Sequence, residues 1–370
     1  VATNSSTTTR VAEDTPTNAS AESRRAYFRN LRISHPKLAE TIKELARRIH
    51  SGHDRAMIIL TGPAGVGKSV ACESLVQNLI KAHFQQFPDD TQTIPAIMVE
   101  AAGPRTDRFD WCELDRAILQ ALQIPMIDAT LPMVTRTIDG RLVDVPLVES
   151  RSHPTSRSLR ARFRLALDQR NPVALVIDEA SNILTSPKPA DVKRQANVLK
   201  TIINTSKTRL ILTGAYDLYE LATKSGQLAR RSPIIHFEPY CRDNLEGFTK
   251  AVLTFQQYLP FDEPFCLEPH IPELFLQSLG CVGLLKNILD EAVDLAISEG
   301  KKNITVSMLR RGYYRPQQLA TFKHEIFDGY RLIEGSDYPD LSLFVDGHPS
   351  TKTSSRRHRP GVRAATRDSA

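Results

Sequence analysis

Gly62, Gly67, Lys68 and Ser69 occupy the fixed positions of G-x-x-x-x-G-K-[ST], inside the run Gly62-Pro63-Ala64-Gly65-Val66-Gly67-Lys68-Ser69-Val70. Glycines at this spacing let a backbone close around a polyphosphate, so that successive N–H groups and a helix N-terminus face the anion. Lys68 then reaches the β- and γ-phosphates, and the Ser69 hydroxyl is placed to ligate Mg²⁺. Farther along, Asp178 and Glu179 follow the apolar run Val173-Ala174-Leu175-Val176-Ile177. Side chains alternate along a strand, so adjacent carboxylates take different tasks. Asp178 suits Mg²⁺ held through its waters, and Glu179 suits orienting and deprotonating an attacking water.

These groups need a rigid frame. Met57-Ile58-Ile59-Leu60 reads as a buried strand leading into the glycine loop, and an amphipathic stretch from Lys68 reads as the helix that leaves it. The continuous apolar run before Asp178 suits a strand buried on both faces of a parallel sheet. Ile94–Val99 and Thr208–Gly214 read as further strands. Thr213 ends the latter, where it either senses the γ-phosphate and attacking water or simply caps a strand. Upstream, Ser34 as N-cap, Pro36 in the first turn, and Leu38, Ile42, Leu45 and Ile49 at helical spacing predict a helix ended by Gly52. That helix leads into the phosphate-loop strand, so it either flanks a nucleotide base or serves packing alone. Trp111–Leu122 reads as another helix, closed by Pro125. The expected class is α/β with a parallel central sheet.

Arginines mark a second kind of chemistry. Gly103-Pro104-Arg105 and Arg108 follow the strand ending near Val99, at the edge where open α/β sheets place ligand-facing loops. Residues 151–170 contain Arg151, Arg157, Arg160, Arg162, Arg164 and Arg170 against one acid, Asp168. Leu159, Phe163 and Leu167 set the buried side of a helix there and leave most of the arginines opposite. Such a face is either solvated or a contact surface for a phosphate backbone, centred on Thr155 and Arg157 at the helix start. Arg230 and Arg231 precede the last strand, far from their own phosphate loop. A guanidinium keeps its charge and presents a rigid fork, so this pair suits a neighbouring subunit's γ-phosphate.

The remaining segments set the domain plan. Residues 1–23 read as a disordered tail and 24–240 as the nucleotide-binding α/β unit. Asp139-Gly140 between alternating segments predicts a hairpin insertion over 130–150. Helical patterns at Asp243–Leu259, Pro272–Leu279, Leu284–Glu299 and Thr305–Arg311 predict a small helical lid over 241–311, with Lys286 in a first turn. Residues 312–347, rich in aromatics, read as an extension, and 348–370 as a basic disordered tail suited to nucleic acid or an acidic partner. The chain has 370 residues, 41% of them apolar, and a net charge of +6. No apolar run approaches the ~20 residues of a membrane span. The five cysteines are scattered without a C-x-x-C pair, which argues against zinc and disulfides and for a cytoplasmic protein. No carboxylate cluster outside the phosphate site suggests nuclease or transposase chemistry.

The order phosphate loop, Asp-Glu strand, Thr-ended strand, paired arginines and helical lid resembles the AAA+ ATPases over residues 30–311. Within them the chain resembles the TniB/TnsC family of transposition regulators. The resemblance is carried by Ile33-Ser34-His35-Pro36, Leu212-Thr213-Gly214-Ala215-Tyr216-Asp217-Leu218, Gln227-Leu228-Ala229-Arg230-Arg231 and Gly280-Cys281-Val282-Gly283-Leu284-Leu285-Lys286. It implies an αβα P-loop sandwich with a lid, binding ATP and Mg²⁺. It implies an ATPase that assembles with ATP as a ring or filament on duplex DNA. Such an assembly connects a target-selecting protein or RNA-guided complex to a transposase, and hydrolysis takes it apart. Family DNA contacts correspond to Arg105, Arg108, Thr155 and Arg157, and the finger to Arg230 or Arg231. Lys286 stands where an arginine is common, which weakens its nucleotide-sensing role. A replication initiator or helicase loader of the same fold, and a signalling NTPase scaffold, are the competing classes.

Overall fold

The computed structural model describes residues 15–51, 57–104, 108–124, 133–138, 141–146, 156–185, 189–205, 207–223, 232–263 and 265–335. For both strands of 133–146, and for 156–157, 189–193 and 203–205, the backbone alone is described.

Five parallel strands build the main sheet: β1 (Met57–Thr61), β2 (Ala96–Glu100), β5 (Ala174–Asp178), β6 (Arg209–Gly214) and β7 (Ile234–His236). Their spatial order is β2-β5-β6-β1-β7. β1, β5 and all but the first residue of β6 are buried, as continuous apolar runs require of strands covered on both faces. Their side chains alternate between two cores. Met57 and Ile59 join the core with α4 (Trp111–Ala121), α5 (Ser156–Arg170), α6 (Pro189–Thr205) and α7 (Leu218–Thr223). Ile58 and Leu60 join the core with α2 (Pro36–His50) and α3 (Lys68–Gln86). β3 (Met133–Ile138) and β4 (Arg141–Pro146) pair antiparallel within the expected insertion, with Ile138 opposite Arg141.

A third core holds the helices after the sheet: α8 (Leu245–Gln257), α9 (Ile271–Ser278), α10 (Val282–Ser298) and α11 (Val306–Arg311). Three features differ from expectation. Helix α1 (Ala21–Asn30) begins inside the stretch read as a tail, because the Ser20 hydroxyl accepts from Ser23 N–H and caps it. It docks on the lid through buried Phe28, through Arg25 on Asp294, and through Arg24 Nε donating to Pro260 O. Residues 316–334, read only as an ordered extension, form the long helix α12 (Pro316–Glu334). The α2 cap is also His35 rather than Ser34: its Nδ1 accepts from Leu38 N–H at 3.3 Å and lies 3.0 Å from Tyr240 Oη. No helix among the described residues is long and apolar enough to cross a membrane.

Candidate nucleotide site

The phosphate loop leaves β1 and turns into α3 at Gly67, whose φ of 109° is left-handed. Lys68 Nζ lies inside the loop and donates to Gly62 O at 2.8 Å and Pro63 O at 2.9 Å. Burial lowers the Lys68 pKa, opposed by the carboxylates of Glu325, Glu179 and Asp178. Ser69 and Val70 follow, half-buried, in the first turn of α3. Ala64 and Gly65 are exposed at the loop's outer bend, whereas Pro63 and Val66 are buried.

The sheet brings the acids to the same edge. Asp178 ends β5, buried, with its Oδ1 accepting from Glu179 N–H at 2.9 Å. Glu179 has φ 49° and ψ 35°, a left-handed conformation uncommon for a residue with a side chain. This turns the chain sharply at the strand's end and leaves the Glu179 side chain exposed while Asp178 faces inward. Strain of this kind concentrates at functional sites. Thr213 pairs with Leu60 across β6 and β1 and is fully buried. Its hydroxyl has no hydrogen bond beyond a weak contact with the Cys72 thiol. Burial, with Asp178 adding to it, pushes that thiol up to about 12. Lys68, Cys72, Asp178 and Thr213 thus form one inward-facing group beneath the loop.

The lid closes the other side. Gly283 N–H, in the first turn of α10, donates to Gly65 O at 2.7 Å. A Cβ on Gly283 would lie 2.5 Å from that oxygen, so only glycine permits the approach. A cavity of about 360 Å³ opens between the loop, the α1–α2 connection and α10, lined among others by Ile33, His35, Gly67, Val70, Gly283 and Lys286. The connection containing His35 therefore flanks the candidate base pocket as well as packing. Lys286 is buried, bonded to Asp290, with its Nζ 4.4 Å from the Phe28 ring centre. Burial lowers its pKa, against the Asp290 carboxylate.

The donor set fits a nucleotide polyphosphate with Mg²⁺. The loop already attracts an anion: Ala64 N–H donates to Glu325 Oε1 at 3.1 Å. Beside it stand the ammonium of Lys68, the Ser69 hydroxyl, the Asp178 carboxylate and the orphaned Thr213 oxygen. Glu325 lies on α12, and no sequence signal pointed to it. Tyr216, whose hydroxyl is 3.1 Å from His236 Nε2, was likewise not singled out for the site.

The arginine expectations divide. Arg105, Thr155, Arg230 and Arg231 lie outside the described residues, and of Arg157 only the helical backbone is described. Arg108 is exposed. Among the arginines of residues 151–170, most of them expected on the outer side, Arg160 is an exception. Arg160 turns inward, 3.0 Å from the fully buried Asp115 carboxylate and with its guanidinium 5.2 Å from the Trp111 ring centre. Arg170 donates to the carbonyls of Gln92 and Gln123. Arg164 stays exposed.

Residues 47–222, just under half the chain, match the family model of an AAA domain. The fold is the AAA+ P-loop fold. Among solved structures, the Aeropyrum pernix ORC1 protein in complex with DNA aligns at TM-score 0.54 with 13% identity, covering 78% of this chain and 68% of that one. The ORC2 protein of the same organism, in ADPNP–ADP complexes, aligns at TM-score 0.51 with 11% identity, covering 85% and 84%. At such identities the AAA+ likeness is one of fold. No curated protein matches the chain.

Proposed function

We propose that this protein is an ATP-driven assembly switch on duplex DNA, of the TniB/TnsC kind, that regulates transposition. The observation carrying the ATPase part is the convergence of Lys68, Ser69, Asp178, Glu179 and Thr213 on one sheet edge beneath the lid. In this reading the loop amides and Lys68 hold the phosphates, and Ser69 and Asp178 hold Mg²⁺, which supplies charge neutralisation when bound. Glu179 orients and deprotonates water, and Thr213 senses it. Lys286, tied to Asp290, lines the pocket and is a weaker nucleotide sensor than an arginine there would be. With its start moved back to α1, the α/β unit to residue 240, the 241–311 lid, the extension and the C-terminal tail are the proposed domain plan.

The DNA part rests on charge and on resemblance. β2 is the sheet strand farthest from β7, and α5 runs back along β5, so its N-terminus shares an edge with Arg108. Arg105, Arg108, Thr155 and Arg157 are the proposed phosphate-backbone contacts. Arg230 or Arg231 would complete a neighbour's site in a ring or filament. A transposase and a target selector, protein or RNA-guided, are the proposed partners, in the cytoplasm.

The test is electron microscopy of the purified protein with duplex DNA, comparing a non-hydrolysable ATP analogue with ADP. Rings or filaments only with the analogue support the switch. Equal DNA binding with both nucleotides, or monomers with both, overturns it. Lys68→Ala should abolish nucleotide binding and assembly together, whereas Glu179→Gln should bind ATP and leave long-lived assemblies on DNA. The second reading, a replication-initiation ATPase, is favoured by the fold likeness to the ORC proteins. Transposition assays with and without the protein separate the two.

A further inference from the structure

Helix α12 crosses from the lid to the sheet over the phosphate loop. Leu319, Phe322, Phe327 and Tyr330 pack with the lid core, and Ile326 is buried within it. On the sheet side the helix makes further contacts. Glu325 meets Ala64 N–H, Gly329 lies flush on the Tyr216 ring, and Glu334 Oε1 is 2.9 Å from His236 Nδ1. Any Cβ at position 329 would collide with that ring. A carboxylate, a glycine contact and, in the last turn, a second carboxylate hold the helix to the loop and sheet.

The position of Glu325 matters more than its single bond. Its carboxylate sits on the loop's outer amide, and it is the leading negative charge acting on Lys68. Lys68 is the residue that reaches the β- and γ-phosphates in this loop. The carboxylate therefore faces the space of the outermost phosphate, where two anions repel.

We propose that α12 is a strap that reads the terminal phosphate: Glu325 stands in for that anion, and an arriving γ-phosphate expels Glu325 and lifts α12, whereas ADP leaves the strap seated. The inference rests on the ATP-site reading above. Its consequence is that the α12 face, hidden in the ADP state, becomes available only with ATP. A ligand shifts an equilibrium only by its differential affinity for the two states, and here charge supplies the difference.

Two measurements on the full chain test this. The first is the affinity of a non-hydrolysable ATP analogue and of ADP, for the wild type, Glu325→Gln and Gly329→Leu. The second is amide hydrogen exchange across residues 316–334 with each nucleotide. Glu325→Gln keeps the shape and removes the charge; Gly329→Leu wedges the helix off Tyr216 without touching the loop. Both variants should tighten the analogue by about tenfold and ADP by less than about threefold. Exchange in α12 should rise with the analogue but not with ADP in the wild type. Equal changes for both nucleotides, or exchange indifferent to the analogue, overturn the strap while leaving the ATP site standing. A wild type that binds neither nucleotide overturns both.

Discussion

Replacing Asp115 by asparagine should flatten one component of this protein's pH–stability profile. Asp115 is fully buried on α4, and Arg160 Nε stands 3.0 Å from its Oδ2. Its other oxygen has no hydrogen-bond partner. Loss of water outweighs the guanidinium, and the carboxyl is raised from 3.8 to about 6. For an acid whose folded value is raised, the stabilising contribution is fully present below the unfolded value and disappears as pH climbs through the folded one. The window is therefore pH 4 to 6, and a shift of this size corresponds to about 3 kcal/mol. Relative to the wild type, Asp115→Asn should gain about that much between pH 4 and 7. Arg160→Met adds a second arm. At pH 8 it strands a buried carboxylate and should cost about 3–5 kcal/mol. At pH 5, with the carboxyl protonated, it should cost only ~1–2 kcal/mol, from the lost hydrogen bond and ring contacts. Urea unfolding at several pH values reads both arms. A stability difference between Asp115→Asn and the wild type that stays constant from pH 4 to 7 would refute the reasoning. The pairing with Arg160 would then outweigh the loss of water at Asp115.

Glu179→Gly should be more stable than Glu179→Ala by about 1 kcal/mol, because glycine tolerates the left-handed backbone there. Both should lose ATP hydrolysis, and equal stabilities in thermal unfolding would show that no strain resides at this turn. Cys266 is exposed, whereas the buried thiols of Cys72 and Cys281 are pushed up to about 12. Iodoacetamide followed by mass spectrometry should mark Cys266 first and Cys72 and Cys281 only on unfolding; early marking of Cys72 would place that thiol in contact with solvent. DNA affinity should fall steeply with salt, and Arg108→Ala should lower the slope by about one. An unchanged slope would remove Arg108 from the interface.

The phosphate loop, the Asp-Glu strand and the sheet were legible because each is local. A short apolar run bounded by a glycine loop or by acids suits a doubly covered strand, and glycine spacing fixes a loop's shape. Boundaries moved by a residue or two where caps decided them, as at His35, whose nitrogen took the role assigned to Ser34. Arg160 lies three residues before Phe163 and seven before Leu167, beside the buried face, and counting charges along the segment did not show that its partner is a buried carboxylate on another helix. Glu325 was invisible because its importance depends on where α12 lies, which the sequence of α12 does not encode locally. The lid and α12 had aromatic and helical patterns, yet their docking partners are hundreds of residues away, as in Ala64 with Glu325.

The bond from Gly283 N–H to Gly65 O joins lid and loop through main chain alone. Communication across it carries no charge, so salt and pH leave it untouched. It also cannot be tuned by exchanging one side chain for another: substitution at Gly283 severs the link instead of adjusting it. A mutational scan should therefore find an all-or-none response at that position, beside graded ones at Lys286 and Asp290. Evolution can alter what this protein senses by changing the side chains around the joint, while the joint itself stays fixed.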